Sequence, residues 1–527
     1  MTVDKTQTPV VAGPALPLAD HAAILPELAE WARGQMADGP LDEDQLAAIF
    51  AHSQHLRSLA WAHPDLVAAV PQGHGAAEVT AAIAACEQAA DQLTDEAGMM
   101  AALRRLRGRC ALCVALADMA DMADVETQMA WLSDAAEAAI RSAVTFLFRQ
   151  ADVRGRFGEA DAEARAGRAG CGWMVLALGK LGARELNYSS DVDLILLHDP
   201  DANPLADTSQ SQTFYVETAR ALVRLLSTAT GDGIGWRVDL RLRPDPGATA
   251  VSIQREAAMG YYESIARTWE RAAFIRARPL AGDIGLGMRF LAEIQPFVWR
   301  RTLDYTVMDD MKMMLRRPTA AAGWEGYNLK TGPNGIRAVE FLTHVLQLVG
   351  GGRSQALRLG STLPALQALA GEGWIEQEQA SALGGLYLSL RRAEHRLQMI
   401  ADAQTHSLPR SREAIGDTSA FLGHEEAEGF LAALSACLDG IERHTAHRLF
   451  EDKPDAGSDT PLLEDEDRLM AWLSARGFSR PADIAAILAG WMAGRIAATR
   501  GERARALLSG IMPPMLEHLA KAQDPDS

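Results

Sequence analysis

The sequence predicts a multidomain, mainly α-helical protein with a central α/β domain, in which helices flank a small mixed sheet. Three observations support this fold class. The chain has 527 residues, too many for one ordinary core. Apolar residues recur at spacings of three and four over long stretches, as in amphipathic helices. Only between about 171 and 280 do short apolar or alternating runs, typical of strands, replace that pattern.

Composition divides the chain further. The first residues are polar and Pro-rich, 154–170 is rich in Gly, Ala and charge, and 451–468 holds eight acidic residues and two prolines. The predicted parts are a disordered start (1–19), an N-terminal helical region (20–153), the central α/β domain (154–284), a helical domain (285–450), an acidic linker (451–468) and a C-terminal helical segment (469–527).

Three strands are predicted within the central domain. WMVLAL (173–178) and VDLILLHD (192–199) are apolar runs typical of buried strands, and WRVDLRLRP (236–244) alternates strictly up to a proline. A helix is predicted over 213–229, between the second strand and the third.

Charge and composition exclude several classes of protein. A net charge of −18 should repel a nucleic-acid backbone, so any nucleotide chemistry is aimed at a small nucleotide or a nucleotide on a protein. No apolar run is long enough for a membrane span, so none is expected, and the first residues lack the basic and apolar segments typical of a signal peptide. Five scattered cysteines fit a reducing compartment, so we expect a cytoplasmic protein.

Cys110 and Cys113 form a C-x-x-C inside a helical pattern, which indicates two small helix residues rather than a metal or redox site.

Asp191 and Asp193 are the first candidate site residues. Side chains alternate along a strand, so both carboxylates point to one face and repel each other. A divalent cation relieves that repulsion, and hard oxygen ligands suit Mg²⁺ or Mn²⁺.

The third predicted strand offers another carboxylate among arginines. If it extends to 243, Arg237, Asp239, Arg241 and Arg243 share one face. Asp239 would then complete a metal site, while Arg241 and Arg243 would hold phosphate oxygens. Three carboxylates around two metal ions are a known solution for displacement at phosphorus.

Residues beside the strands are candidate phosphate ligands. Gly179 and Lys180 follow the first strand in a G-x-x-G turn, and Ser189 and Ser190 directly precede Asp191. Each signal alone is weak: a lone D-x-D or G-x-x-G, or an acid on a strand face, is usually structural. The combination of strand, GK turn, SSD-x-D, helix and Asp/Arg strand is much more specific.

These residues resemble the nucleotidyltransferase superfamily of the DNA polymerase beta type, with its G-[GS] turn, Asp-x-Asp strand and later third Asp. Lys180 stands where a serine often stands in that pattern. The resemblance implies metal ligation by Asp191, Asp193 and Asp239.

A closer resemblance, covering most of 100–450, is to the bifunctional glutamine synthetase adenylyltransferase/adenylyl-removing enzymes. Its main stretches are GKLGARELNYSSDVDL (179–194), RVDLRLRPDPGAT (237–249), YYESIARTWERAAFIRARPLAGD (261–283), FVWRRTLDY (297–305), NLKTGPNGIRAVEFL (328–342) and LRRAEHRLQMIADAQTHSLP (390–409). Where the family pattern reads IREIEF, this chain has IRAVEF: Ala338 replaces a carboxylate and Glu340 remains.

The motifs resemble the first of two halves in that family, the half that removes AMP. This implies a fragment, a split gene product or a shortened chain that phosphorolyses adenylylated glutamine synthetase to release ADP, with the PII signal protein as regulator. Two alternatives stay open: ATP-dependent adenylylation by the same site, and a PII-binding regulatory module with a vestigial site.

Three further features each allow two interpretations. Residues 269–271 with Arg276 and Arg278 could line a nucleotide pocket or form a packing face with an internal ion pair. The loop 328–335 could place an anion at the N-terminus of a helix over 336–349, or be a structural turn. On a helix over 386–402, the polar stripe of Arg391, His395, Gln398 and Asp402 predicts a solvated face or a surface for a partner.

Overall fold

A computed structural model describes residues 43–300, 323–449 and 466–493, together with a few single positions. Those positions are Pro9, Val11, Ala12, Leu41, Arg495, Thr499, Leu508, Met512 and Leu516. The chain forms two compact units, Met1–Leu449 and Phe450–Ser527. The disordered start predicted for 1–19 and the acidic linker predicted for 451–468 lie largely outside the described residues.

Helices precede the sheet in the first unit, and acidic side chains begin the longest of them. Asp95 accepts a hydrogen bond from the Gly98 amide and Asp124 accepts one from the Thr127 amide, which satisfies N–H groups that have no partner within the helix. The helices are Glu43–His52, Gln54–Ala62, Pro64–Ala69, Gly75–Gln92, Glu96–Met119, Val125–Val153 and the short Ala162–Arg165.

The central sheet has five strands: β1 (Trp173–Ala177), β2 (Asp191–His198), β3 (Arg237–Asp239), β4 (Ser252–Gln254) and β5 (Arg278–Gly282). The hydrogen-bonded order is β3-β2-β1-β5, and β4 also pairs with β2. β1 is antiparallel to β2 and β5, whereas β2 is parallel to β3 and β4. The predicted small mixed sheet within a mainly helical chain is therefore confirmed.

The third predicted strand is much shorter than its alternating sequence indicated. It ends at Asp239, because the Asp239 carboxylate accepts a hydrogen bond from the Arg241 amide and turns the chain. Arg241 and Arg243 lie in that turn. The prediction that they share a strand face with Asp239 is wrong, since strand periodicity stops where the local turn begins.

Apolar side chains cover the sheet on both faces, which explains the continuous apolar runs of β1 and β2. Trp173, Val175, Val192 and Leu194, with their alternating neighbours, belong to one core that includes the N-terminal helices. Residues of the opposite parity, such as Ile195, belong to a second core with the later helices. We call these faces the N-terminal face and the C-terminal face. Asp191 and Asp193 have the parity of Ile195, so they project from the C-terminal face.

The remaining helices of the first unit are Gly179–Gly182, Ser211–Ser227, Arg255–Ser264, Thr268–Phe274, Ile284–Val298, Ile336–Gly350, Thr362–Gly371, Gln377–Met399, Arg412–Phe421 and Ala427–Leu449. The helices predicted over 213–229 and 336–349 are confirmed within two residues. In the second unit, Glu466–Ala475 and Pro481–Met492 pack around Leu469, Trp472 and Leu488. Within the described residues, no helix combines the length and apolarity that crossing a bilayer requires.

The C-x-x-C lies inside the helix Glu96–Met119, and all five cysteines are free and buried. Burial raises the pKa of the Cys113 thiol to about 12, so the reactive thiolate is disfavoured. The structural interpretation of Cys110 and Cys113 is therefore the correct one.

Candidate active site

The predicted carboxylates lie at the edge of the sheet where β2 and β3 run side by side. In this parallel pair, Asp193 is the register partner of Asp239, and Asp191 is the partner of Arg237. Register partners on adjacent strands project to the same face, as do residues two apart on one strand. Asp191, Asp193 and Asp239 therefore project from the C-terminal face of the sheet.

Gly179 packs directly against this group. Its φ is +54°, and a Cβ at this position would overlap the Asp193 carboxylate. Glycine is required here for both reasons, because other residues disfavour that φ and the Cβ atom of any of them would occupy the space of the Asp193 carboxylate. The turn after β1 is thus fitted to Asp193, and the Leu178 amide donates a hydrogen bond to the Asp193 carbonyl at 2.9 Å.

The electrostatics of Asp193 differ from those of an ordinary surface acid. Burial, followed by the negative charges of Asp191 and Asp239, raises its pKa to about 7. Lys330 and Arg241 act in the opposite direction with smaller effects. A carboxylate whose ionisation is opposed by like charges is a common feature of functional sites and of cation sites.

Asp239 has a different environment from Asp193. Burial tends to raise the pKa of Asp239, but hydrogen bonds from Arg241 dominate, and the net shift is downward. The Arg241 Nε lies 2.8 Å from Oδ2, and the Arg241 side chain is 83% exposed. Arg241 therefore faces solvent while neutralising Asp239.

Arg243 has no comparable ion pair in the described residues. It donates to the carbonyls of Leu240 and Pro246 at 2.9 and 2.8 Å, which fixes the turn after β3. An open cleft of about 410 Å³ runs along this edge of the sheet. It is lined by Asp191, Val223, Arg237, Val238, Asp239, Leu240, Arg241 and Arg243.

The structure gives Lys180 a different role from the predicted one. Its ammonium group is buried, and its Nζ lies 3.2 Å from Oε2 of Glu394, which is fully buried. Burial lowers the pKa of Lys180 to about 7 in spite of Glu394. These contacts support a structural anchor between the turn after β1 and the helix Gln377–Met399, not a contact with phosphate.

Ser189 is likewise occupied by protein partners. Its amide donates to Gln398 Oε1 at 2.8 Å, and its hydroxyl donates to Asp402 Oδ1 at 2.7 Å. Arg237 donates to the carbonyl and the hydroxyl of Ser189, at 2.9 and 2.8 Å. Ser190 is half-exposed beside it. Ser189 therefore fixes the loop before Asp191, and the phosphate role of Ser190 stays a prediction.

Sequence reasoning missed the role of Asp402. Its carboxylate accepts two hydrogen bonds from Arg107, at 2.8 and 2.6 Å, besides the one from Ser189. We call Arg107, Ser189, Arg237 and Asp402 the Asp402 clamp. Ser189 lies two residues before Asp191 and Arg237 lies two residues before Asp239, so the clamp connects the segment before β2 to β3. The sequence carries a signal for it, since helical periodicity puts Asp402 in line with the polar stripe of Arg391, His395 and Gln398.

The prediction that this polar stripe forms a solvated or partner-binding face is wrong. Arg391, His395 and Gln398 are fully buried, because the helix packs against the central domain and the N-terminal helices. Arg391 donates to the Glu185 carbonyl and to Asn187 Oδ1, both at 2.6 Å. The helix ends at Met399, and Asp402 follows in a turn with φ +49°.

Arginines after β4 were candidates for lining a nucleotide pocket, but they bind other protein groups instead. Arg271 donates to the Val298 carbonyl, Arg276 pairs with Glu340 at 3.2 Å, and Arg278 donates to Glu137. Glu340 is the carboxylate that this chain keeps from the family pattern IREIEF, and Ala338 stands in place of the other one. The packing interpretation with internal ion pairs therefore holds for these arginines.

The loop before the helix Ile336–Gly350 is a structural turn. Asn328 Oδ1 accepts hydrogen bonds from the amides of Lys330 and Thr331. The first helical amides, of Ile336, Arg337 and Ala338, already donate to carbonyls of Leu329, Lys330 and Gly335. An anion at this helix N-terminus would find those amides occupied, so that interpretation is not supported.

The chemistry of the three aspartates fits a hard divalent cation, since carboxylate oxygens are the ligands that Mg²⁺ and Mn²⁺ prefer. Burial and then the two neighbouring carboxylates raise the pKa of Asp193, and the second effect is expected where acids share one face. Among the described residues, however, no three acidic, His or Cys side chains stand close enough together to hold a metal ion. The Asp239 carboxylate is hydrogen-bonded to Arg241 instead.

Two family models match this chain. Residues 43–293 match the model described as glutamate-ammonia ligase adenylyltransferase. Residues 310–449 match the model described as PII-uridylyltransferase. The first match contains the whole sheet, and the second contains the helix Gln377–Met399.

Curated relatives agree with the first model. A protein of Xanthobacter autotrophicus is 47% identical over 441 residues, which are 82% of this chain and 44% of that protein. Proteins of a Bradyrhizobium species (strain BTAi1) and of Rhizobium meliloti are 40% and 39% identical, over 96% of this chain and 52% and 53% of their own lengths. All three are named bifunctional glutamine synthetase adenylyltransferase/adenylyl-removing enzyme. The chain thus spans about half the length of these relatives.

Proposed function

This chain belongs to the glutamate-ammonia ligase adenylyltransferase family, and from that premise we propose that its three-aspartate face removes AMP from adenylylated glutamine synthetase. The observation that carries the proposal is the register that pairs Asp193 with Asp239 and leaves Asp191 on the same face. We further propose that the reaction takes place in the cytoplasm, where five free, buried thiols are stable.

The proposed reaction is a phosphorolysis. An oxygen of inorganic phosphate attacks the phosphorus of AMP that is esterified to a tyrosine of glutamine synthetase. The bond between phosphorus and the tyrosine oxygen breaks, and the proton carried by the attacking phosphate ends on the released tyrosine. The products are ADP and unmodified glutamine synthetase, so charge and atoms balance without a redox step.

Mg²⁺ or Mn²⁺ held by Asp191, Asp193 and Asp239 would supply positive charge at the reacting phosphorus. The residues around the aspartates have complementary tasks. Gly179 leaves room for the Asp193 carboxylate, and the Asp402 clamp holds β2 and β3 in register. Arg241, exposed beside Asp239, can reach phosphate oxygens in the open cleft.

The reverse direction is the main competing function. The same site could transfer AMP from ATP to glutamine synthetase, since both directions share one transition state. The motif LN-x-SSD-x-D favours removal, because it resembles the adenylyl-removing half of the family. We also propose PII signal protein as a partner of the helical domain, and the match of 310–449 to the PII-uridylyltransferase model supports this.

One experiment separates the two directions. The protein is incubated with adenylylated glutamine synthetase, phosphate and Mg²⁺, and ADP is measured. In parallel, unmodified glutamine synthetase is incubated with labelled ATP, and AMP incorporation is measured. We expect ADP release and no incorporation; incorporation without ADP release would reverse the assignment.

Asp191→Asn tests whether the proposed face performs the chemistry. We expect turnover to be lost while adenylylated glutamine synthetase still binds. Asp201→Asn, at an exposed aspartate outside the site, is the matched control and should behave as wild type. Full activity of Asp191→Asn would refute the catalytic assignment.

A further inference from the structure

Lys330 differs from the other cations around the candidate site. Lys180 and Arg276 are buried in ion pairs with Glu394 and Glu340, and Arg391 is buried in a hydrogen-bond network. Lys330 is half-exposed, and none of the described residues lies within ion-pair or hydrogen-bond distance of its side-chain ammonium. A lysine without a partner beside a polar site is available to a ligand.

The backbone that carries Lys330 is fixed in place. Asn328 Oδ1 accepts a hydrogen bond from the Lys330 amide at 3.0 Å. The Arg337 amide donates a hydrogen bond to the Lys330 carbonyl, also at 3.0 Å. The neighbouring Leu329 is fully buried, and its amide donates to the His406 carbonyl at 2.7 Å. Both polar groups of the Lys330 backbone are therefore engaged, and only its side chain is free.

This loop lies on the same side of the sheet as the aspartates. Leu329 and Ile336 belong to the core of the C-terminal face, together with Ile195 and Leu197 of β2. Asp191 and Asp193 continue the same row of β2 side chains.

A chain of contacts links the loop to Gly179. His406, whose carbonyl binds Leu329, has its Nδ1 2.6 Å from Glu394 Oε1. Glu394 pairs with Lys180, which follows the glycine packed against Asp193. The contacts therefore connect the loop that carries Lys330 to the turn that packs against Asp193.

Phosphorolysis brings an anionic phosphate to an anionic phosphodiester beside three aspartates. Such a site needs cations that are free to contact phosphate oxygens. Lys180, predicted for this task, is committed to Glu394, and Arg243 is committed to backbone carbonyls. Arg241, which can reach phosphate oxygens, is paired with Asp239 at the outer edge of the sheet. Among the described residues, Lys330 is therefore the cation left to serve the side of the site formed by the turn after β1.

We propose that Lys330 binds the phosphate oxygens of the reactants, as the cation that faces Asp191, Asp193 and Asp239 from the loop 328–335. The proposal rests on the proposed function for the identity of the reactants. The anionic oxygens can come from the attacking inorganic phosphate or from the AMP phosphoryl group. Both present the same chemistry to an ammonium group.

The test compares Lys330→Gln, Lys330→Arg and Arg337→Gln. Arg337 is an exposed cation on the same segment, stacked over Phe341, and is the matched control. We expect Lys330→Gln to raise the KM for inorganic phosphate, or the inhibition constant of AMP, roughly 10- to 100-fold, as for the loss of a hydrogen bond to a charged group. The KM for adenylylated glutamine synthetase should change only if the oxygens belong to the AMP phosphoryl group. Lys330→Arg should restore most of the loss, and Arg337→Gln should match wild type.

The two readouts identify the source of the oxygens. A change confined to phosphate assigns Lys330 to the attacking group, and a change confined to AMP assigns it to the phosphoryl group. Unchanged values for both in Lys330→Gln would overturn the proposal.

Equilibrium dialysis of ADP against wild type and Lys330→Gln gives a readout independent of turnover. If the wild type releases no ADP from adenylylated glutamine synthetase, the proposed function fails, but dialysis still decides whether Lys330 binds phosphate. Thermal unfolding checks each variant. If Lys330→Gln does not fold, Lys330→Met, which keeps the aliphatic stem, takes its place; ADP affinity equal to wild type would then overturn the proposal.

Discussion

Two clusters of charged residues meet at the Gly179–Lys180 turn, and they are built on opposite principles. On the site side, Asp191, Asp193 and Asp239 share a face, and their mutual repulsion helps to raise the pKa of Asp193 to about 7. On the inner side, each charge faces an opposite one. We call this second group the buried ionic layer; it comprises the pairs Lys180–Glu394, Arg276–Glu340 and Arg396–Asp118.

The difference shows how to separate function from structure among charged residues. A buried pair such as Arg396–Asp118, fully excluded from solvent, costs desolvation that its attraction only roughly offsets, so it mainly fixes how the elements meet. A group of like charges does not stabilise the fold, and its presence indicates that a ligand of opposite charge binds there. The exposed edge thus holds the candidate chemistry, and the layer behind it holds the edge in position.

Replacing Asp193 should have the largest effect on activity. We expect Asp193→Asn to lower turnover on the order of 10²- to 10³-fold or more, because it removes a carboxylate at the reacting phosphorus. The free energy of unfolding should stay the same or rise, since burial and two like charges oppose ionisation at this position. Turnover and chemical denaturation are measured on the same preparation. A large loss of stability would contradict the contrast between the clusters.

Glu394→Gln should have the opposite profile. It leaves the buried Lys180 ammonium without its counter-charge, which should lower the free energy of unfolding by about 3 kcal/mol. Denaturant titration measures the loss. The double variant Lys180→Met with Glu394→Met should recover part of it, because it removes the Lys180 charge, whereas the loss of the Arg391–Glu394 pair at 3.5 Å remains. A loss below about 1 kcal/mol for Glu394→Gln would show that water, rather than opposite charges, stabilises the charges of the buried ionic layer.

Asp402→Asn tests the connection between the two clusters. Asparagine tolerates the positive φ of this position, so the backbone should persist while the charge-assisted bonds to Arg107 and Ser189 weaken. We expect kcat to fall about tenfold with little change in either KM, because the loosened register of β2 and β3 disturbs geometry rather than substrate contacts. Steady-state kinetics measure this. Unchanged kcat in a destabilised variant would make Asp402 purely structural.

Acid should destabilise the fold through buried histidines before it affects the buried carboxylates. Burial lowers the pKa of His198 to about 4 and, with help from Arg391, that of His395 to about 3. Below the ordinary pKa of 6.5 the unfolded chain therefore takes up protons that the folded chain refuses, and stability falls as the pH drops from 6.5 towards 4. The slope should reach about 1.4 kcal/mol per pH unit for each histidine.

Denaturant titrations at several pH values measure this slope, and His198→Gln should reduce it by one histidine's share. Despite burial, Arg276 lowers the pKa of Glu340 to about 2. Glu340 therefore reduces the free energy of unfolding only below pH 4.5, the ordinary pKa of a glutamate. A stability that stays flat from pH 6.5 to 5 would contradict the neutral state of these buried rings.

Local patterns determined a definable part of this protein. The period of a strand placed Asp191 and Asp193 on one face, and the apolar runs around them predicted β1 and β2. Helical periodicity located the helix before β3 and the one that begins at Ile336. It also identified Cys110 and Cys113 as helix residues. In each case neighbouring residues carry the information, so no distant partner is needed.

Only the tertiary structure decided the roles of the cations. Strand alternation could not show that β3 stops at Asp239, because a side chain to backbone hydrogen bond from Arg241 ends it. Helical periodicity defined the stripe of Arg391, His395 and Gln398 but not what covers it. That depends on partners such as Ser189, 209 residues from Gln398 along the chain. A local period states which side chains share a face; whether that face meets water, a ligand or another part of the chain is settled only when distant segments pack together.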